Sequence, residues 1–170
     1  LNSLKIFDKK KNFFQINLLA ADKNYKLICK QIHQYKPRFF IINNFNIYKK
    51  IKKKFKKNNI KIFNNINFKK NILKKSDITI TAIPGIAGLN PTIEMIKKSK
   101  KVLLANKESI ICGWHIIKKT AAKNKTKLVP VDSEHFSIMK LLENHPLKEV
   151  KKIYLTASGG PFLNYSVSQL

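Results

Sequence analysis

The stretch Ile78-Thr79-Ile80-Thr81-Ala82-Ile83-Pro84-Gly85-Ile86-Ala87-Gly88 decides the fold class, together with Val102-Leu103-Leu104-Ala105 further along the chain. The first five residues of the stretch are rich in Ile and Thr, as in a buried strand, and the Pro and Gly residues after them predict a tight turn. A helix is predicted over residues 91–98, because Pro91 is tolerated in the first turn of a helix. The second apolar run then returns as a strand. This is the pattern of a β-α-β unit, whose two strands lie parallel.

The same alternation of strands and helices continues in both directions from that unit. Further strands are predicted over residues 13–20, 39–42, 60–63, 127–131 and 153–157, and further helices over 1–7, 25–35, 46–57, 67–75, 109–122 and 135–143. Short strands that alternate with longer helices indicate parallel strands joined by right-handed crossovers. We therefore predict an α/β fold of the doubly wound, Rossmann-like type, with helices on both faces of a mostly parallel sheet.

Length and composition exclude several classes of protein. A chain of 170 residues can bury a core without disulfides or a structural metal. No apolar run approaches the ~18 residues of a membrane-spanning helix, and the first residues lack the pattern of a signal peptide, so neither membrane insertion nor secretion is expected. Cys29 and Cys112 are far apart and without ligand-spaced partners, which predicts two buried thiols in a reducing cytoplasm.

The charge balance allows a second interpretation, a surface that binds nucleic acid or another polyanion. The chain has 35 Lys and Arg residues against 9 Asp and Glu, a net charge of +26. However, Arg38 is the one arginine in the sequence, and bidentate binding of phosphates favours arginine. The lysines are spread over every segment, and those of residues 49–57 surround an apolar stripe of Ile47, Ile51 and Phe55, as on a solvated helix. No nucleic-acid partner is therefore predicted, and a polyanion site stays the alternative.

Polar or Gly-rich segments follow five of the predicted strands. They cover residues 21–24, 84–88, 106–108, 132–135 and 158–161. Because ligands bind at the carboxyl ends of parallel strands, we expect these segments to line one edge of the sheet. Gly85 and Gly88 would let a ligand approach the backbone closely. The segment that begins at Ser158 is either a phosphate-binding nest or a common turn.

Asp132 and Glu134 are the candidate metal ligands. They are separated by one residue, so in an extended segment both carboxylates point to the same side, and paired oxygen ligands suit a hard divalent cation. The alternative is structural: Asp132 or Ser133 caps a helix that starts at His135, and Glu134 favours its positive end. The spacing supports both interpretations equally, and His135 is expected to orient the loop.

Three motifs of the chain resemble those of the 1-deoxy-D-xylulose 5-phosphate reductoisomerase family, in the order and at the separation found there. They are Leu103-Leu104-Ala105-Asn106-Lys107-Glu108-Ser109, Pro130-Val131-Asp132-Ser133-Glu134-His135 and Leu155-Thr156-Ala157-Ser158-Gly159-Gly160-Pro161-Phe162. The stretch Ala82-Ile83-Pro84-Gly85-Ile86-Ala87-Gly88-Leu89 is similar to a fourth, weaker motif. The resemblance extends over essentially the whole chain.

The resemblance implies an NADP-dependent oxidoreductase and isomerase of the non-mevalonate route to isoprenoid precursors. Such an enzyme rearranges 1-deoxy-D-xylulose 5-phosphate and reduces it with NADPH to 2-C-methyl-D-erythritol 4-phosphate, and it needs Mg²⁺ or Mn²⁺. By the motif match, Asp132 and Glu134 would bind the metal and Lys107 would be catalytic near the nicotinamide. From the residues alone, Lys107 could equally be one more surface lysine.

The motif match also implies the contacts with the substrate and the cofactor. The substrate, a sugar phosphate, would be bound by Lys107, Ser133, Glu134 and Ser158. The NADPH contacts would be Asp22, Lys23, Asn24, Gly85, Asn106 and Glu108. Lys23 suits the adenosine 2′-phosphate, whereas Asp22 departs from the small residue common at that place. An anion beside a phosphate is repulsive, so Asp22 would contribute only through its backbone or by pointing away.

The resemblance further implies two domains, an NADPH-binding domain over residues 1–125 and the start of a metal- and substrate-binding domain over 126–170. The family's opening strand and its third carboxylate ligand have no match in the sequence, so we expect a sheet without its first strand and a chain that is inactive by itself. The full-length enzyme is expected to be a homodimer in the cytoplasm, or in the plastid stroma of a eukaryote. The alternatives are another NADP-dependent dehydrogenase and a polyanion-binding module.

Overall fold

A computed structural model describes residues 2–65, 74–154, 165, 166 and 168. In this part of the chain the helices are α1 (Asn2–Lys9), α2 (Tyr25–Tyr35), α3 (Phe45–Lys54), α4 (Leu89–Ile96), α5 (Lys107–Asn124) and α6 (Ser133–Leu142). The strands are β1 (Leu18–Ala21), β2 (Phe39–Ile42), β3 (Lys61–Phe63), β4 (Ser76–Thr81), β5 (Ser99–Leu104) and β6 (Lys127–Pro130). Short 3₁₀ turns cover Lys11–Phe13, Ile86–Gly88 and Leu147–Glu149. None of the helices in these ranges is both long and apolar enough to cross a membrane.

The chain forms two compact units, Leu1–Asp77 and Ile78–Leu170, which we call the first and the second unit. The first unit contains the three-stranded sheet β1-β2-β3, in which both strand pairs are parallel. All four residues of β2 are buried, because helices cover the sheet with apolar side chains. The core of this unit consists of Ile28, Cys29, Ile32, Phe40, Ile42, Ile51, Phe55 and Ile62.

Capping residues define both ends of α2. At its start, the Asn24 side chain accepts a hydrogen bond from the Leu27 backbone N–H at 3.0 Å. At its end, Lys36 adopts the left-handed conformation with φ 43°, and its backbone N–H donates to the Ile32 carbonyl. Pro37 follows and cannot continue the helix. The observed bounds are therefore those predicted from the apolar stripe.

The second unit contains the three-stranded sheet β4-β5-β6, in which β5 and β6 are parallel. Its core consists of Ile96, Val102, Leu104, Ile117 and Ala121. The helix α5 is kinked at Gly113, which has the non-helical angles φ −133° and ψ 17°. A Cβ atom at Gly113 would lie 3.0 Å from Leu89 Cδ2, so the glycine permits close packing of α4 against α5.

The prediction of an α/β fold with parallel strands and intervening helices is confirmed. The strands divide between two three-stranded sheets in the described residues rather than forming one continuous sheet. The strand predicted over residues 13–20 begins only at Leu18, because Phe13 belongs to a 3₁₀ turn and is 78% exposed. Ile153 and Tyr154, predicted to start a strand, are irregular and exposed. Most of the helix predicted over 67–75 lies outside the described residues. The prediction of two buried thiols is correct for Cys29 and wrong for Cys112, which is exposed.

Candidate active site

The carboxyl ends of the three strands of the second unit lie side by side. The Ala105 backbone N–H donates to the Thr81 carbonyl at 3.0 Å, and the Val131 N–H donates to the Leu104 carbonyl at 3.0 Å. The segments 84–88, 106–108 and 132–135 therefore leave the sheet from the same edge, as predicted. The segment 21–24 belongs to the first unit, and the segment 158–161 lies outside the described residues.

Asp132 has two distinct roles for its two carboxylate oxygens. It is the N-cap of α6: Oδ1 accepts a hydrogen bond from the His135 backbone N–H at 3.0 Å and lies 2.6 Å from His135 Nδ1. Oδ2 is buried and, among the described residues, has no hydrogen-bond partner. The capping interpretation of Asp132 is therefore correct, but capping uses one oxygen and leaves the other without a partner among the described residues. A buried, unpaired carboxylate oxygen is unfavourable unless a cation or donor occupies the place beside it.

Glu134 does not lie in an extended segment, as the spacing argument assumed. It is the second residue of α6, because the Asp132 cap starts the helix at Ser133, two residues before the predicted start at His135. The Glu134 carboxylate is exposed and accepts a hydrogen bond from the Ser133 hydroxyl at 2.8 Å. The same-side argument for the two acids was therefore wrong, and their proximity comes from the helix N-terminus instead.

Three charged side chains influence one another at this edge. The pKa of Glu134 is lowered, mainly by the hydrogen bond from Ser133, and the positive charge of Lys107 lowers it further while Asp132 raises it. Burial raises the pKa of Asp132, but the hydrogen bonds and charge of His135 outweigh burial, so the net effect is a lowered pKa. Both carboxyls are therefore ionised at neutral pH and provide oxygen ligands for a hard divalent cation. No group of three or more His, Cys, Asp or Glu side chains is arranged for metal binding in the described part of the chain.

Asn106 starts α5 and contacts the turn that follows β4. Its Oδ1 accepts a hydrogen bond from the Ser109 backbone N–H at 2.9 Å, which makes Asn106 the N-cap and starts α5 two residues before its predicted start at Ser109. Its Nδ2 donates to the Gly85 carbonyl at 3.0 Å and to the Ile83 carbonyl. The Asn106 side chain is 3% exposed, whereas Lys107 and Glu108, the next two residues, are exposed. Asn106 is thus a predicted cofactor contact whose side-chain amide is hydrogen-bonded within the protein through both its oxygen and its nitrogen.

Different structural constraints favour glycine at the two glycine positions of the turn after β4. Gly85 has φ +68°, which an L-residue rarely adopts, and a Cβ atom there would meet nothing within 4 Å. Gly85 is therefore glycine because of its backbone conformation, and the space where a side chain would lie is open. Gly88 has an ordinary φ of −75°, but a Cβ atom there would run into Asn106 Nδ2 and the Ile83 carbonyl.

Sequence reasoning missed the connection between this turn and Asn106. An Asn before a helical segment is a recognisable capping signal, so the cap itself could have been predicted. The bonds from Asn106 to Ile83 and Gly85 span 23 and 21 residues, and no local pattern announces them.

Comparison with known proteins identifies the family. The family model for 1-deoxy-D-xylulose 5-phosphate reductoisomerase matches residues 1–113, and the model for the C-terminal domain of that enzyme matches residues 128–170. The chain belongs to the 1-deoxy-D-xylulose 5-phosphate reductoisomerase family. The resemblance inferred from the sequence motifs is thereby confirmed.

Curated reductoisomerases are similar over almost the whole chain. The enzyme of Pelagibacter ubique (strain HTCC1062) is 44% identical over 169 residues, which are 98% of this chain and 44% of the relative. The enzyme of Wolbachia pipientis subsp. Culex pipiens (strain wPip) is 40% identical over 164 residues, which are 95% of this chain and 42% of the relative. The chain thus spans less than half the length of these relatives.

Solved reductoisomerase structures share the fold. The Zymomonas mobilis enzyme in complex with NADPH superposes with a TM-score of 0.81 and 28% identity, over 97% of this chain and 44% of that protein. A reductoisomerase in complex with NADPH, fosmidomycin and magnesium gives a TM-score of 0.80 and 26% identity, over 98% of this chain and 44% of that protein. The Rossmann-like α/β fold class is confirmed by these matches.

The segment 21–24 of the first unit, which contains three predicted NADPH contacts, begins at the last residue of β1. The Asn43 backbone N–H donates to the Ala21 carbonyl at 3.0 Å, so the ends of β1 and β2 adjoin. The Asp22 carboxylate accepts a hydrogen bond from the Asn43 side-chain amide at 3.2 Å. Lys23 is exposed, and the Asn24 side chain is occupied as the cap of α2. Lys23 is therefore the residue of this segment whose charged end is available to an anion.

Proposed function

We propose that this chain supplies metal, substrate and NADPH contacts for the reductoisomerase reaction, which converts 1-deoxy-D-xylulose 5-phosphate to 2-C-methyl-D-erythritol 4-phosphate. Family membership supports the proposal, and the solved relatives are complexes with NADPH or with NADPH, fosmidomycin and magnesium. The observation that carries it is the buried Asp132 Oδ2 without a partner among the described residues, at the same helix N-terminus as the Glu134 carboxylate.

The donor set at this edge fits Mg²⁺ or Mn²⁺. Asp132 and Glu134 offer carboxylate oxygens, which both cations prefer, and both carboxyls have lowered pKa values, so protons compete weakly for the site. A divalent cation held there would supply Lewis-acid stabilisation of negative charge on the ketone and hydroxyl oxygens of the substrate. His135 fixes the Asp132 carboxylate through Oδ1, and the Ser133 hydroxyl fixes Glu134. These neighbours orient the two acids before any ligand arrives.

Lys107 would place a positive charge beside the two acids. Its charge lowers the pKa of Glu134, so the ammonium lies within electrostatic range of that carboxylate. In the proposed reaction Lys107 donates a hydrogen bond to a substrate hydroxyl, and the exposed Ser133 contacts the same substrate. Ser158, which lies outside the described residues, stays the predicted contact for the substrate phosphate.

Each unit has its own predicted contacts with NADPH, the cofactor that would supply the hydride. In the first unit, the Lys23 ammonium suits the adenosine 2′-phosphate, since the Asp22 carboxylate is engaged by Asn43. In the second unit, the exposed backbone around Gly85 and the exposed Glu108 are the contacts left once Asn106 is used internally. These assignments keep every cofactor contact at the carboxyl edge of a parallel sheet.

The proposed division into an NADPH-binding domain over residues 1–125 and the start of a catalytic domain over 126–170 agrees with two separate family models for residues 1–113 and 128–170. The homodimer and the cytoplasmic location stay predictions.

The proposal is tested by turnover and by metal binding. The intact gene product that contains these residues is assayed for oxidation of NADPH with Mn²⁺ and 1-deoxy-D-xylulose 5-phosphate, and bound Mn²⁺ is counted by electron paramagnetic resonance. We expect turnover that requires both the metal and the sugar phosphate. Reduction of NADP⁺ by simple 2-hydroxy acids, with no oxidation of NADPH by the sugar phosphate, would instead identify another NADP-dependent dehydrogenase.

A further inference from the structure

We propose that Asn106 is a positioning residue that fastens the turn after β4 to the first turn of α5. We call the Asn106 side chain, the Ile83 and Gly85 carbonyls and the Ser109 backbone N–H the Asn106 clasp. The role of the clasp rests on the proposed NADPH site, because the turn that it holds contains the predicted cofactor contact at Gly85. The inference replaces the expected direct contact between the Asn106 side chain and NADPH.

The hydrogen-bonding capacity of the Asn106 amide is the first argument. An Asn side chain has two N–H donors and one carbonyl acceptor. The two donors are matched by two backbone carbonyls, at Ile83 and Gly85, and the acceptor is used by the Ser109 N–H. With the side chain 3% exposed, no donor is left to reach a nucleotide. Direct contact would require the clasp to open.

The second argument is that capping explains only part of the clasp. An N-cap needs an acceptor for a backbone N–H of the first helical turn, which Asn106 Oδ1 provides to Ser109. Ser and Asp cap equally well and have no amide donors. The two bonds from Nδ2 therefore serve the turn rather than the helix.

Gly88 provides an independent observation. Its φ of −75° is available to any residue, so the glycine is not required by the backbone conformation. A side chain at this position would run into Asn106 Nδ2 and the Ile83 carbonyl, which are two members of the clasp. The missing side chain thus makes room for the clasp.

The clasp fixes the relative position of two proposed binding elements. Gly85, with φ +68°, has open space where a side chain would lie, and Lys107 is the residue directly after Asn106. A turn without this attachment would keep short-range backbone bonds, such as those from the Gly88 N–H to the Gly85 carbonyl at 3.1 Å and from the Leu89 N–H to the Ile86 carbonyl. Fixing the turn before binding lowers the entropy that NADPH binding must overcome.

The experiment separates the donors of the clasp from the cap. Asn106→Asp keeps a capping oxygen and removes both amide donors, and Gly88→Ala disturbs the clasp from the opposite side. The matched control is Asn44→Asp, because Asn44 caps α3 through Oδ1 and the Ile47 N–H at 3.1 Å. The Michaelis constant for NADPH and kcat are measured on the intact gene product. We expect both clasp variants to raise the KM for NADPH about tenfold, the size expected for lost buried hydrogen bonds, and the control to leave it unchanged.

A merely structural role for Asn106 gives a different result. Partial unfolding lowers the fraction of active enzyme, so kcat falls and the KM for NADPH does not change. That outcome, or a KM that Asn106→Asp leaves at the wild-type value, would overturn the proposal.

Amide hydrogen exchange, measured without nucleotide, tests the Asn106 clasp independently of the proposed enzymatic function. We expect the Gly88 N–H to exchange faster in Asn106→Asp than in wild type and in Asn44→Asp. Unchanged exchange would overturn the clasp whatever the enzyme does. If the wild type neither binds nor oxidises NADPH while Gly88 exchange is accelerated, the attachment of the turn stands and the proposed function is what fails.

Discussion

The two units have the same kind of three-stranded sheet but bury different side chains. All buried side chains of the first unit's core are apolar or thiol, such as Phe40 and Ile51. The buried polar side chains of the described residues all belong to the second unit, and they are Thr81, Thr92, Ser99, Asn106, Ser109 and Thr126. An apolar core is specified by the hydrophobic pattern alone, whereas buried hydroxyls and amides must each find a partner. The candidate active site lies in the second unit, where buried polar side chains need hydrogen-bond partners.

Substitutions of the site residues of the second unit should lower activity strongly and change the free energy of unfolding little. Glu134→Gln should lower turnover by at least about three powers of ten, because a lost metal ligand removes several kcal/mol of transition-state stabilisation. Asp132→Asn should do the same and still cap α6, since Asn is as good an N-cap as Asp. Turnover and the Mn²⁺ affinity of the intact gene product are the measurements.

Glu143→Gln is the matched control for Glu134→Gln. Glu143 follows the last residue of α6 and is bonded to Lys140, and the pKa of Glu143 is lowered mainly by that hydrogen bond. It therefore undergoes the same chemical change at the opposite end of the helix, and its turnover should stay within about twofold, as for a surface site. Wild-type activity in Glu134→Gln or in Asp132→Asn would refute the metal assignment.

A core substitution in the first unit should have the opposite effect, a loss of stability. Phe40 is 0% exposed in the centre of the sheet, so Phe40→Ala should lower the free energy of unfolding by about 3 to 5 kcal/mol through the cavity that it leaves. Phe45, which is 52% exposed on α3, is the control, and Phe45→Ala should cost less than about 1 kcal/mol. Urea denaturation measures both. Equal losses would show that burial in β2 does not determine the stability of this unit.

The sequence was sufficient to predict most of the first unit. The apolar stripe of α2 and the run Phe39–Ile42 gave the observed bounds of a helix and a strand, because burial there follows hydrophobicity directly. The strand predicted over residues 13–20 was too long because that prediction also relied on hydrophobicity. Phe13 and Phe14 are apolar but are 78% and 50% exposed, so hydrophobicity alone extended β1 too far.

In the second unit, the sequence predicted which residues lie close together, but it did not predict the helix starts and tertiary contacts that position them. Asp132, Glu134 and Lys107 come together at one edge, as the strand-end rule predicts. The N-caps Asp132 and Asn106 start their helices two residues earlier than the apolar pattern indicated, so Glu134 is helical rather than extended. The attachment of Asn106 to the turn after β4 depends on tertiary contacts across 23 residues, which no local signal encodes.

The buried Thr126 hydroxyl of the second unit should contribute to stability through its hydrogen bonds. Thr126 Oγ1 is buried within 2.7 Å of the Ile96 carbonyl and 2.9 Å of the Ser99 carbonyl. Thr126→Val keeps the side-chain shape and removes this donor, so it should lower the free energy of unfolding by about 1 to 2 kcal/mol. Thr120→Val on α5, at a partly exposed position, is the control and should stay within about 0.5 kcal/mol. A loss no larger than that of the control would contradict the contrast between the two units.

The smallest effect is expected at a polar contact of the first unit that lies outside its core. The Tyr35 hydroxyl donates to Asp8 Oδ2 at 2.9 Å, and Gln34 Nε2 donates to the same carboxylate at 3.1 Å, so α2 is joined to α1. Because the contact is partly exposed, Tyr35→Phe should lower the free energy of unfolding by only about 0.5 to 1 kcal/mol near neutral pH. The control is Tyr48→Phe, since the Tyr48 hydroxyl accepts a hydrogen bond from Lys52 on the exposed face of α3 at 2.9 Å.

The pH dependence distinguishes this contact from ordinary packing. The pKa of Tyr35 is raised above its usual value of 10.0, first by burial and then by the hydrogen bond to Asp8 and the negative charge of Asp8. The folded protein therefore holds the phenol proton more tightly than the unfolded chain does. The resulting stabilisation is complete below pH 10 and is lost as the pH rises through the folded pKa. The difference in unfolding free energy between wild type and Tyr35→Phe should thus shrink above pH 10, whereas a pH-independent difference would mean that the aromatic packing against Phe7, and not the hydrogen bond, joins the two helices.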